Sequence, residues 1–151
     1  MTFQNVCNRL WDVDLTVPKE PSPQTLVTVR PEDAFRSIQG LPTFPGISQA
    51  NSGATGLSLQ RVIIPPGVTA NAHYHEGFET AIFLLQGEVL TRYGENLEHE
   101  VLNVAGDFIF IPPDLPHEPR NISDTELAIA LVARNDPNEQ ESVVLYPPSN
   151  E

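Results

Sequence analysis

The chain has 151 residues, a length that suits one domain with a sizeable core. Its formal charge of −12 argues against nucleic acid or an anionic membrane surface as partner, since both demand basic surface. No run is apolar enough to span a bilayer, no leader pattern opens the chain, and the single Cys7 cannot close an internal disulfide, so the cytoplasm is the expected compartment.

Residues 1–24 read as an N-terminal arm. Pro18, Pro21 and Pro23 interrupt any regular pattern, while Phe3, Val6, Leu10 and Trp11 need burial, either over one end of the domain or on a second subunit. Residues 25–151 read as one β-rich domain, with 15 prolines and 9 glycines in the whole chain and few helix-favouring runs. Thr25 to Val29 is rich in β-branched residues and is expected as a strand. Pro31 to Ile38 suggests a two-turn helix, with proline early and Gly40 past its end. Residues 40–55, rich in Pro, Gly and Ser, are expected as loop.

From Gly56 onward, strand patterns follow one another closely. Leu57 to Ile64 ends at the turn Pro65-Pro66-Gly67, and Ala70 to Tyr74 leads through His73 into the histidine pair His73 and His75. Thr80 to Leu85 is apolar on both faces, as in a covered strand. Glu88 to Tyr93 and Glu98 to Val104 flank a turn at Gly94, the second strand placing His99, Val101 and Asn103 on one face. Phe108 to Ile111, Pro116 to Ile122, Glu126 to Arg134 and Ser142 to Tyr146 complete the set. Short strands with turn signals about every 10 residues predict an antiparallel sandwich or barrel, a jelly roll.

His73 and His75 lie two apart, so a strand points both imidazoles to one face. His117 comes from a later strand. Ligands converging from separate strands are what a metal inside a barrel requires.

Two segments carry a resemblance. Gly67, His73, His75, Glu79 and Gly87 match the first motif of the cupin superfamily, G-x5-H-x-H-x3,4-E-x6-G. Gly106, Pro112, His117 and Asn121 match the second, G-x5-P-x-G-x2-H-x3-N, and the resemblance to small single-domain cupins covers roughly residues 56–134. Asp114 stands where the second motif has glycine. Seven residues, rather than six, separate Glu79 from Gly87, which leaves Thr80 at the usual glutamate distance from that glycine.

The resemblance implies an all-β double-stranded β-helix with at most one or two short helices. It also implies a divalent transition metal (Fe, Mn, Ni, Zn or Cu) held by His73, His75, Glu79 and His117. Glu79 is expected to reach the ion from the start of its strand, where the preceding turn can aim it, or through a bulge; the remaining alternative is an exposed Glu79 and a site of three imidazoles. His99 is expected to be solvated or a polar core group. By period-two counting, Pro119 and Asn121 share the face of His117, and Thr80, Ile82 and Leu84 point inward. Tyr74 and Arg120 should face away, and Arg61 and Arg92 are expected at the surface.

The functional expectation is a metal-dependent enzyme acting on a small organic molecule, with dioxygenase-type chemistry favoured. The alternatives are a non-catalytic ligand-binding cupin and a metal-dependent isomerase or cyclase. A homodimer is expected, because a barrel of this kind leaves a sheet edge to cover.

Overall fold

The computed structural model describes residues 25–138, 140 and 142–147, so the predicted arm, residues 1–24, lies outside the described residues. In chain order the elements are β1 (Phe35–Arg36), β2 (Pro42–Ile47), α1 (Gln49–Ser52), β3 (Ser58–Ile64), β4 (His73–His75) and β5 (Thr80–Gln86). They continue with β6 (Glu88–Tyr93), β7 (His99–Val104), β8 (Phe108–Ile111), β9 (His117–Asn121), β10 (Ala128–Arg134) and β11 (Val143–Leu145). One sheet has the order β1-β2-β3-β10-β5-β8 and the other β11-β4-β9-β6-β7, with antiparallel pairing throughout. This is the jelly roll that the strand pattern predicts.

Between the sheets sits a small apolar core that includes Leu41, Val62, Ile64, Leu84, Val89 and Val132. Strict alternation builds it. On β10, Ala128, Ala130, Val132 and Arg134 are buried while Ile129, Leu131 and Ala133 are only partly so. Leu84, 1% exposed, would cost about 2–5 kcal/mol to truncate to alanine at such a site.

The N-terminal half departs from expectation in three places. Thr25 to Val29 forms no strand, and Leu26 is 87% exposed. β-branched residues favour a pleated surface only where a neighbouring strand offers one, and no ladder reaches this segment. Pro31 to Ile38 is not helical. Phe35–Arg36 instead pairs with Thr43 and Pro42 across a turn in which Gly40 has φ 91° and donates its N–H to the Ser37 carbonyl. Residues 40–55 are not loop, because Pro42–Ile47 adds to β3 and α1 follows. Proline in β2 is tolerated because it has only to avoid the donor positions of the ladder. No helix among the described residues is long and apolar enough to cross a membrane.

One irregularity positions the site. Along β5 and β10, Arg134 pairs with Thr80, Val132 with Ile82 and Ala130 with Leu84, but the next pair is Ile129 with Gln86. Leu85 is therefore an extra residue, a bulge beside Gly87. Before the bulge, Thr80, Ile82 and Leu84 share the inward face.

Candidate metal centre

The short strand β4 buries His73 and His75 and leaves Tyr74 turned outward, its ring 6.4 Å from that of Tyr146. His117 opens β9 directly opposite His73 in the ladder. The three imidazoles converge, with ring centroids 5.1 Å (His73–His75), 4.3 Å (His73–His117) and 5.6 Å (His75–His117) apart. One nitrogen from each lies within 4.8 Å of the others, and all three residues are buried.

Hydrogen bonds orient the rings. His73 Nδ1 lies 2.7 Å from the Asn71 carbonyl and His117 Nδ1 lies 2.8 Å from the Leu115 carbonyl. A carbonyl only accepts, so each Nδ1 carries the hydrogen and each Nε2 keeps its lone pair. His75 Nε2 accepts a hydrogen bond from Arg134 Nη2 at 3.1 Å, since a guanidinium only donates. Burial pushes the His73 pKa down to about 4, helped by His75 and Arg134, against the pull of its carbonyl. Burial likewise pushes His117 down to about 3, helped by His73 and Arg134. Both rings are neutral at ordinary pH, the state in which imidazole ligates.

Glu79, the fourth expected ligand, is not brought to this cluster. It is exposed, and its N–H donates to Asn135 Oδ1 at 2.9 Å. The reason is parity: Thr80 is the first residue of β5 and is 1% exposed, so the residue before it faces out. Arg134 approaches the imidazoles from the facing sheet. Its Nε donates to Thr80 Oγ1 at 2.9 Å, and the residue is 4% exposed. Sequence reading missed it by weighing only Arg61 and Arg92. Arg61 is exposed with its guanidinium over the Phe44 ring, and Arg92 pairs with Glu118 at 3.5 Å. The missed signal was the continuation of Ala128, Ala130 and Val132 by period two, which ends on Arg134.

The other positions fall as follows. Asp114 adopts the left-handed conformation (φ 62°) that the motif glycine would take. It accepts the Gly77 N–H on Oδ1 at 2.9 Å and donates its own N–H to the His75 carbonyl, fixing the turn after the histidine pair. Asn121 is fully buried and serves the backbone: its amide donates to the Ile64 and Glu126 carbonyls. His99 is at the surface, 3.6 Å from Glu98. Arg120 is exposed.

A cavity of about 490 Å³ opens from the histidines between the sheets. Ile82, Leu84, Val89 and Val132 make much of its wall apolar, while Thr91, Tyr93 and Asn103 add polar groups. Asn103 Oδ1 is buried without a hydrogen-bond partner among the described residues, so it can accept from a ligand. A pocket of this size suits one small molecule.

The donor set fits a metal in part. Three converging imidazoles, two of them neutral with the Nε2 lone pair left over from a carbonyl bond, suit a divalent transition ion, and the carbonyls behind those two are the usual orienting partners. On the remaining side stands a guanidinium, which cannot ligate.

Residues 60–133 match the cupin domain family. The chain belongs to the cupin superfamily. This cupin is 30% identical over 114 residues to germin-like protein subfamily T member 3 of Arabidopsis thaliana, covering 74% of this chain and 48% of that protein. It is 31% identical over 88 residues to 3-hydroxyanthranilate 3,4-dioxygenase of Xanthomonas euvesicatoria, covering 58% of this chain and 49% of the relative. The chain thus spans about half the length of the curated relatives it matches. Among solved structures it is similar to oxalate oxidase in complex with the substrate analogue glycolate, with a TM-score of 0.61 and 25% identity. That match covers 74% of this cupin and 57% of the oxidase chain.

Proposed function

We propose that this cupin binds one divalent transition-metal ion through His73, His75 and His117 and is a metal-dependent enzyme acting on a small organic molecule. Dioxygenase-type chemistry is the favoured class. The observation that carries the reading is the convergence of three buried imidazoles, one ring nitrogen of each within 4.8 Å of the others. When bound, such an ion would polarise a substrate oxygen or activate dioxygen. The chain's own groups do the rest. The Asn71 and Leu115 carbonyls hold two rings in the ligating tautomer, the apolar wall excludes water, and Asn103 offers an acceptor to orient the ligand. Two relatives support an oxidative reading by name, one a dioxygenase and the other an oxidase whose structure holds glycolate.

The test is elemental analysis of the purified protein, followed by oxygen uptake with a panel of diketones, phenols and hydroxy acids. Near-stoichiometric metal that disappears in the His73→Ala, His117→Ala double variant is expected. Full metal in that variant would overturn the assignment, and metal without turnover on any compound would favour a ligand-binding cupin.

The proposal extends to a homodimer. Strand β8 is an edge of the six-stranded sheet and exposes Phe108 (85%) and Phe110 (63%), which a second copy would cover. Light scattering at micromolar concentration should give twice the 16.6 kDa chain mass. A particle of single-chain mass that Phe110→Glu leaves unchanged would reject it.

A further inference from the structure

Strand β7 sets a buried polar atom against the cavity. Asn103 lines the cavity and pairs across to Val89 of the apolar core, so its side chain shares that inward face. Its Oδ1 is buried and has no hydrogen-bond partner among the described residues. A carbonyl shut away from water without a donor is destabilising, so stability alone gives no reason for an amide here. The position is built. The Val104 N–H donates to Asp107 Oδ2 at 2.9 Å and the Gly106 N–H to the Leu84 carbonyl at 2.8 Å, which ties the end of β7 to β5.

Asn103 also stands far from the histidines. Tyr93 pairs with His117 and Val89 with Asn103, and β6 rises roughly 13 Å between those two levels. His117 and Asn103 lie on strands to either side of β6, about 10 Å apart in that direction. One cavity reaches both, so a molecule that meets both is elongated. Much of the wall it would lie against is apolar, at Ile82, Leu84 and Val132.

The chemistry of the far end follows from the acceptor. Oδ1 only accepts, so the ligand donates. Among the described residues neither Asp nor Glu lines the cavity, and an ammonium would be buried there without a counter-charge. An amide would bring in a carbonyl that needs a donor of its own, whereas a hydroxyl answers Oδ1 with one small group.

We propose that Asn103 is a specificity-determining residue of this cupin, accepting a hydrogen bond from a neutral hydroxyl on an elongated, otherwise apolar molecule, at the end remote from the histidines. The proposal rests on the reading of the cavity as the site of a small organic molecule and names the class of that molecule.

The experiment titrates the protein as purified, its metal content measured alongside, with 4-phenylphenol and with 4-methylbiphenyl, in which a methyl group replaces the hydroxyl. An apolar pocket alone prefers the methyl compound, the more hydrophobic of the two. Asn103 should reverse that order, with 4-phenylphenol binding about tenfold or more tightly. Plain phenol, which spans only part of the cavity, should bind about tenfold or more weakly than 4-phenylphenol. Asn103→Leu, of similar size, should return the preference to 4-methylbiphenyl and leave the urea midpoint at or above that of the parent, because an unanswered buried carbonyl is gone. Turning the amide over would present Nδ2 in place of Oδ1, and Asn103→Asp separates the two. It keeps an acceptor, drops the amide hydrogens, and should keep the preference for the hydroxyl.

Equal or tighter binding of 4-methylbiphenyl by the unmodified protein would overturn the proposal without need of any variant. A hydroxyl preference that survives in Asn103→Leu would remove Asn103 from recognition, and one lost in Asn103→Asp would overturn the acceptor role. Equal affinity for phenol and 4-phenylphenol would overturn the elongated ligand. Binding of neither two-ring compound would sink the reading of the cavity as a small-molecule site, and this proposal with it. A preparation without metal that keeps the hydroxyl preference would count against the metal centre alone.

Discussion

Thr80 and Arg134 face each other across β5 and β10, and the 2.9 Å hydrogen bond from Arg134 Nε to Thr80 Oγ1 fills the side of the histidine cluster where a motif carboxylate was expected. Glu79, one residue earlier, lies outside. The two substitutions should therefore act differently. Glu79→Gln is expected to leave metal affinity within about twofold, because an exposed side chain loses little on neutralisation. Thr80→Val keeps the volume but removes the acceptor of a buried guanidinium N–H, and should lower stability by about 1–3 kcal/mol. Metal titration and urea unfolding of both variants check this. A tenfold loss of affinity in Glu79→Gln would bring that carboxylate back to the ion.

The pH dependence of the metal-free protein follows from the buried imidazoles. In the unfolded chain an imidazole titrates near 6.5, whereas His73 is pushed down to about 4 and His117 to about 3 in the fold. Between these values the unfolded state binds more protons, so stability falls as pH falls. The contribution is fully present above about 6.5 and is lost progressively as pH drops through about 4 and then 3. Urea midpoints measured from pH 7.5 to 4 should decline, and His117→Asn should flatten the slope. An identical slope in that variant would count against the burial argument.

Alternation made the C-terminal two-thirds legible. Strand β6 runs from Glu88 to Tyr93 as its pattern requires, and Thr80, Ile82 and Leu84 face the cavity as period-two counting expects. The histidine cluster was legible for the same reason, since two residues on one strand and a third on another need only a shared face. Glu79 was ambiguous because parity counted from His75 and from Gly87 gave opposite answers. The structure follows the count from Gly87, with Thr80 inward and Glu79 exposed, and nothing in an apolar run such as Ile82-Phe83-Leu84-Leu85 marks that Leu85 is the unpaired residue. Arg134 was hidden differently: its position in the period was readable, but charge argues for the surface unless a partner such as Thr80 is known. The errors before Gly56 came from local propensity. Phe35–Arg36 and Pro42–Ile47 are strands because β3 offers them an edge, a fact of tertiary structure.

Two of the three motif glycines make a further prediction because their surroundings differ. Gly87 has φ 86°, and a Cβ there would lie 2.8 Å from Ala128 Cα and 2.9 Å from the Leu127 carbonyl oxygen. Those atoms belong to backbone and cannot swing away. Gly106 has φ 101° but open space around it. Gly106→Ala should thus cost only backbone strain, on the order of 1–2 kcal/mol. Gly87→Ala adds a steric clash at the bulge that sets the register of β5, and should cost about 3 kcal/mol or more. Thermal unfolding of both variants tests the order, and equal losses would show that the clash relaxes.

Asn121 supports the last prediction, since its place in the motif suggests a site residue and its bonds show another role. The side chain is fully buried; its Nδ2 donates to the Ile64 carbonyl at 2.9 Å and the Glu126 carbonyl at 2.7 Å, while Oδ1 accepts from Ser123 N–H at 3.0 Å. It joins the end of β3, in one sheet, to β9 in the other, and closes the turn leading to β10. Asn121→Asp is nearly isosteric but replaces a two-hydrogen donor by an acceptor. Two carbonyls would then face a carboxylate with no hydrogen between them. Unless that carboxyl takes up a proton, a buried charge stands unpaired, and a loss of about 3–5 kcal/mol is expected. Protonation restores one donor, so the variant should recover part of its stability as pH falls from 7 toward 5, opposite to the trend of the parent protein. Urea unfolding at the two pH values checks the sign. A variant that loses stability in parallel with its parent would show that Asn121 does not hold the sheets together through its amide hydrogens.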